Sequence, residues 1–206
     1  MSTGRRAGRP RSASREILEE AACELFLEKG YAATSVADIT QRAGVSRNTF
    51  FNYIPTKSDL LWTSVDDALE GLSAALGAAG PEPGAGGRGD GRDDAVAETR
   101  AALLRVAAAL VPGTVVLAFA NAEPMGVAEE LEESAARRQG RAGRIVAAHL
   151  RRRGVDELTA EVLGGAQAGA LLAALRAWSR SPVPREPFAV VFSRALDVLG
   201  PGSLTS

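Results

Sequence analysis

Arg47, Asn48 and Thr49, with Phe51 and Asn52 just beyond, are the residues whose types and spacing point most directly to chemistry. A guanidinium can donate two hydrogen bonds to guanine, a carboxamide can pair bidentately with adenine, and a threonine methyl can touch a thymine methyl. Helical spacing puts Arg47, Asn48, Phe51 and Asn52 on one side of a helix, with Phe50 and Ile54 on the other. Ser46 is placed to cap that helix and Pro55 to stop it. Upstream, Ser35 and Asp38 have capping-box spacing, and Val36, Ile39 and Ala43 make an apolar face. Gly44 can take the left-handed conformation that ends a helix. Two short helices joined by a glycine turn form a helix-turn-helix, whose second helix enters the DNA major groove. Thr56 and Asp59 repeat the capping-box spacing at the start of a further helix. Lys57 in its first turn is unfavourable for the helix dipole, so we expect it to hold a phosphate together with that helix N-terminus.

Reactive groups are scarce elsewhere. One histidine, His149, and one cysteine, Cys23, leave neither a metal cluster nor an intramolecular disulfide framework. We expect no catalytic residue, no metal and no cofactor. His149 is expected to be a packed or surface residue. With 24 Lys and Arg against 25 Asp and Glu, the chain carries a net charge of −1, so any affinity for DNA must come from local charge. The segment 1–14 holds Arg5, Arg6, Arg9 and Arg11 and no acid, and is expected to be a disordered basic arm. Its Gly-Arg-Pro core, with Arg9, could lie in a narrow minor groove. From Arg15 to Leu60 the five basic residues (Arg15, Lys29, Arg42, Arg47, Lys57) face seven acids, so the arm is expected to supply missing cations. An architectural, nonspecific DNA-binding protein is the alternative reading, disfavoured by that acidic balance. No apolar run approaches the roughly 20 residues of a membrane span, and the N-terminus lacks the apolar core of a signal peptide. We therefore expect a cytoplasmic protein without a membrane partner.

The elements that must position the reading face are all helical. A helix is predicted over 15–29, with Ile17, Leu18, Ala21, Ala22, Leu25 and Phe26 at helical spacing, and another over 57–76. Residues 77–93, rich in Gly and Pro, are predicted to be a flexible linker loop. Further helices are predicted over 94–111, 114–121, 125–153, 156–180 and 187–199. The fold class is therefore all-α with about nine helices: an arm over 1–14, a helix-turn-helix head over 15–61 and a larger helical domain over 62–206. In the helix over 125–153, acids lead and arginines follow, with Glu133 and Arg137 spaced to pair. Arg137, Arg141 and Arg144 share a face, and an anionic ligand there is the rival to a solvated, self-neutralising surface. The helix over 156–180 is apolar nearly all round and must be buried on two sides. Gly165, Gly169 and Ala173 on one side, with the stripe Phe188, Val191, Phe192, Ala195 and Leu199 on the last helix, are expected to form a dimer interface.

The run REILEEAACELFLEKGYAATSVADITQRAGVSRNTFFNYIPTKSDLL, from Arg15 to Leu61, resembles the N-terminal domain of the tetracycline-repressor (TetR) family of bacterial transcriptional regulators. The resemblance rests on the FxEKGYxATSVxDI run, the AGVS turn, the TFF and Tyr53 of the second helix, and PTKSDLL. It covers about a quarter of the chain. It implies a homodimeric repressor with DNA-binding heads on a palindromic operator, and a helical domain that binds a small-molecule effector. On this reading the DNA-binding residues are Arg9, Thr34, Ser35, Arg47, Asn48, Thr49, Phe51, Asn52, Tyr53 and Lys57. Phe51 stands where the family usually has a Tyr that reaches a phosphate, so that contact is expected to be lost or replaced by packing. Candidate effector-pocket residues are Leu104, Phe119, Asn121, Met125, Gln167 and Trp178, and the Ala, Leu and Val around them suggest a hydrophobic effector. The S-R-x-T-F-F run is also similar to an actinobacterial subset that includes acyl-coenzyme-A-responsive regulators.

Overall fold

The computed structural model describes residues 11–78, 91–110 and 113–200. Arg9, and most of the basic arm with it, lies outside them. The first helix, α1, spans Arg11–Lys29 and so begins inside the expected arm. The helix-turn-helix is α2 (Val36–Ala43) and α3 (Arg47–Tyr53). The predicted helix over 57–76 is in two pieces, a 3-10 turn over Ser58–Trp62 and then α4 over Thr63–Ala78. Of the predicted loop over 77–93, residues 77 and 78 finish α4 and residues 91–93 open α5 (Gly91–Ala109); the remainder falls outside the described residues. Asp93 and Asp94 in the first turn of α5 suit its dipole, and the helix starts three residues ahead of the expected position 94.

Next come α6 (Thr114–Ala120) and the single turn α7 (Ala122–Met125). Gly126, at φ +62°, closes α7, so the long helix expected from Met125 begins only at α8 (Ala128–Arg152). The chain ends its described part with α9 (Glu157–Ser179) and α10 (Phe188–Asp197). No strand occurs among the described residues.

Head and body share one continuous core. Leu18, Phe26, Ile39, Phe50 and Ile54 fill the head, each at most 1% exposed. The 3-10 turn delivers Leu60, Leu61 and Trp62 to the boundary with the body, all buried. There the Trp62 ring meets Phe119 of α6 edge-on at 5.6 Å. The Tyr31 amide, between α1 and α2, donates to the Met125 carbonyl of α7 at 2.7 Å.

In the body, α8 and α9 cross so closely that a Cβ on Gly164 would lie 2.5 Å from the Gly143 carbonyl oxygen. Only glycine fits there. Contrary to the expectation of no span-like run, α9 has the length and apolarity of a membrane-crossing helix. It is the central helix of the body, packed against α6, α8 and α10. Such an apolar helix needs neighbours on more than one side, and here they are protein.

Candidate nucleic-acid interface

Three short-range caps build the reading face. The Ser35 hydroxyl accepts from the Asp38 amide at 3.1 Å, and Asp38 accepts from the Ser35 amide at 2.7 Å. These bonds from Ser35, then Lys29 at 3.0 Å, hold the Asp38 carboxyl well below the usual carboxylate range. Gly44 takes the left-handed conformation, φ +66°, and turns the chain into α3. Ser46 caps α3 by accepting from the Thr49 amide at 3.0 Å. Phe50 and Ile54 then face inward, and Arg47, Asn48, Phe51 and Asn52 are exposed side by side.

The electrostatics single out one of these side chains. Arg15 pairs with Glu19 and Asp67, Lys29 with Asp38, and Arg42 with Glu24 and Glu28. The Lys57 ammonium donates to the Tyr31 carbonyl at 2.8 Å and the Thr34 carbonyl at 2.9 Å, and lies over the Tyr31 ring at 3.8 Å. Burial pushes that ammonium down from the usual lysine range. Among the described head residues 15–60, Arg47 is the one cation with no intramolecular ion pair or hydrogen bond. It is a charge displayed outward with nothing of the protein to satisfy it.

Other expected contacts sit differently. Thr34 is 1% exposed, and its hydroxyl donates to the Gly30 carbonyl at 2.8 Å, so its side chain closes the end of α1 and cannot reach DNA. The Ser35 hydroxyl is engaged in its capping box. Thr49 is partly exposed, and its hydroxyl lies 2.8 Å from that of Ser46. Tyr53 is half-buried and lines a cleft between head and body with Arg15, Asp66 and Arg141. Lys57 does stand beside a capped N-terminus, where Asp59 accepts from the Thr56 amide at 3.1 Å, but its ammonium is turned back onto two carbonyls. Phe51 packs its ring edge-on against Phe50 yet leaves 51% of its surface exposed.

Residues 18–62 match the sequence profile of the bacterial regulatory proteins of the tetR family. EthR of Mycobacterium tuberculosis, an HTH-type transcriptional regulator, is 39% identical over 74 residues, 35% of this chain and 34% of EthR. EthR of Mycolicibacterium smegmatis is 38% identical over 68 residues, 32% of this chain and 31% of that protein. The chain thus spans about a third of the length of the relatives it matches. The whole architecture matches a TetR-family protein from Syntrophomonas wolfei with a TM-score of 0.58 at 17% identity, over 96% of this chain and 100% of that one. Residues 18–62 are a tetR-family head. FadR of Thermus thermophilus, a TetR-family repressor solved with lauroyl-CoA, shares the fold at a TM-score of 0.50 and 23% identity, over 93% of this chain and 96% of FadR.

What holds the TetR head to its body was not visible as a motif. Arg138 of α8, 9% exposed, donates through Nε and Nη2 to both oxygens of Asp66 on α4 at 3.0 and 2.6 Å. Its Nη2 also donates to Asp59 at 2.9 Å, and the guanidinium lies 5.0 Å from the Trp62 ring centroid. Trp62 in turn donates to the Ser134 hydroxyl at 2.7 Å. Burial raises the Asp59 carboxyl, but the bonds from Arg138 and Thr56 outweigh it and hold it below the usual range. No sequence signal singles Arg138 out, since Arg141 and Arg144 of the same helix also have no acid four residues before them. Arg137 pairs with Glu130 at 3.9 Å, where spacing pointed to Glu133, and Arg141 faces Asp66 and Glu70 at 3.9 Å. Of the arginine face, Arg141 therefore answers acids of α4, and Arg137 an acid of its own helix.

The six candidate effector residues do not converge. Phe119 and Met125 are core, and Leu104 is half-buried on α5. The Asn121 amide donates to the Leu117 carbonyl and the Trp178 indole to the Glu186 carbonyl. Gln167 reaches Thr99 at 3.4 Å, and its side-chain carbonyl oxygen is buried without a hydrogen-bond partner. A separate apolar cavity of about 30 Å³ lies between α4, α5, α9 and α10, walled by Leu69, Leu72, Leu103, Val106, Leu171 and Phe188. Beside it a groove between α4 and α5 opens outward, sharing Ala68, Val106 and Leu110 with the cavity.

The expected dimer residues divide. Gly165 and Ala173 are exposed and Gly169 is half-buried, on the face of α9 that also shows Leu158 and Val162 at 74% and 60% exposure. Phe188 and Phe192 instead face the subunit's own core, Phe188 against Trp178. Ala195 is half-buried, and the outward apolar residues near it are Val190, Val198 and Leu199.

Proposed function

We propose that this chain is a cytoplasmic, homodimeric transcriptional repressor that reads a palindromic operator with α3 and leaves it when a small hydrophobic effector occupies the body. The observation that carries this reading is the outward row of Arg47, Asn48, Phe51 and Asn52 on a capped α3 of a TetR-family head, with Arg47 displayed unpaired. The row has the donor chemistry for base edges. Two copies would join through the exposed apolar face of α9 and the outward edge of α10, and two-fold symmetry requires a two-fold operator.

The effector reading rests on the apolar cavity. Its 30 Å³ is far below the roughly 300 Å³ and more of ordinary ligand sites, so an occupant must push α4 and α5 apart along the adjoining groove. Movement of α4 would pull on Asp66 and the 3-10 turn, and through them on α3. The test is a selection of genomic fragments by purified protein, with and without fractions of cellular small molecules, acyl-coenzyme-A esters among them. Enrichment of one palindrome, lost with a fraction, is the expected result. Equal retention of all fragments would replace this reading with nonspecific, architectural binding.

A further inference from the structure

The reading face carries one side chain that hydrogen-bond chemistry does not explain. Phe51 leaves 51% of its surface in solvent, and a single exposed apolar residue would ordinarily need no explanation. Three observations set this one apart. It stands one turn beyond Arg47 and Asn48 and next to Asn52, so it is surrounded by the side chains suited to base edges. Its ring is propped edge-on against the buried Phe50, at 5.2 Å between centroids and 79° between planes, which fixes its direction before any partner arrives. Thr49, the other carrier of a methyl contact, is only partly exposed, with its hydroxyl directed at Ser46.

A phenyl ring has no donor for a phosphate and no acceptor for a base amine. In the major groove its sequence-specific partner is the C5-methyl of thymine. Its two flanking carboxamides, Asn48 and Asn52, are suited to adenine. Phenyl and carboxamides therefore ask for the same base pair, from opposite strands.

We infer that Phe51 is a specificity-determining residue that packs on a thymine methyl, so that each operator half-site holds an A·T step beside the base pair read by Arg47. This rests on the operator reading above, and the experiment separates the two. Fragment selection with the wild-type protein supplies the operator, and each thymine is then replaced in turn by deoxyuridine, which removes the methyl and keeps every hydrogen bond. For one thymine per half-site, wild-type affinity should fall about fourfold, the worth of one buried methyl-sized group. Phe51→Ala should bind the natural operator more weakly and show no further loss with deoxyuridine. Phe51→Tyr, which keeps the ring, should retain the methyl sensitivity. Because Phe51 is half exposed, an unchanged melting midpoint checks that Phe51→Ala is folded.

Equal losses with deoxyuridine in wild-type and Phe51→Ala, or no loss in either, overturn the assignment and leave the ring on a sugar. Failure to enrich any sequence overturns the operator reading itself, and the role of Phe51 with it.

Discussion

The reading face and the junction that carries it are built in opposite ways. In α2 and α3 each helix is closed by a partner three residues away, Ser35 with Asp38 and Ser46 with Thr49. At the junction, Arg138 reaches Asp66 across 72 residues and Asp59 across 79. Local caps shape a surface that must stay free for a partner, and distant pairs hold that surface in place. The contrast means that damage to the junction should spread through the whole molecule, while damage to the face should stay where it is made.

Arg138→Met should have the largest effect. It leaves the Asp59 and Asp66 carboxylates facing each other across an uncharged side chain, and breaking such a largely buried set costs about 3 kcal/mol. Denaturation followed by tryptophan fluorescence would read it, because Trp62 lies under the guanidinium. Gly164→Ala tests the other long-range contact. Its Cβ would lie 2.5 Å from a backbone oxygen of α8, so the two helices must part, at about 2 kcal/mol, seen as a lower melting midpoint.

Ser46→Ala removes the cap of α3 and should cost about 1 kcal/mol, with hydrogen exchange faster in α3 and unchanged in α9. If exchange rose equally in both, the contrast between local face and distant junction would not hold.

Acid should act on both regions together. Asp38 and Asp59 titrate below their unfolded values, so the stability they contribute is complete above roughly pH 4 and is lost as the pH falls through their lowered folded values. Asp38→Asn should flatten part of that acid limb in a pH series of melting midpoints.

The same contrast decides what was legible in the sequence. The capping boxes, Gly44 and the inward Phe50 and Ile54 could be read because cap and helix are neighbours in the chain. Arg138 could not, since nothing near it in sequence names Asp59 or Asp66. The effector candidates do not converge for a related reason. Leu103, Val106 and Leu171 face a cavity only because α4, α5 and α9 meet, and no periodicity distinguishes them from other core residues. Thr34 and Lys57 show the reverse error: polar residues beside the reading face turned out to hold the head's own carbonyls. For the proposed dimer face, apolarity along α10 was visible, but which edge is covered by α5 and α9 was not.

Arg47 is the extreme of the local face, a side chain that the protein itself does not use. Arg47→Ala should leave stability within about 0.5 kcal/mol of wild type, as expected for an exposed surface site. The most direct test of the account is the affinity of Arg47→Ala for the selected operator and for variants of it, at fixed salt. Binding should be weaker by roughly ten- to a hundredfold, with preference relaxed at one base pair in each half-site. Unchanged preference at every position would contradict it and take Arg47 out of the residues that read DNA.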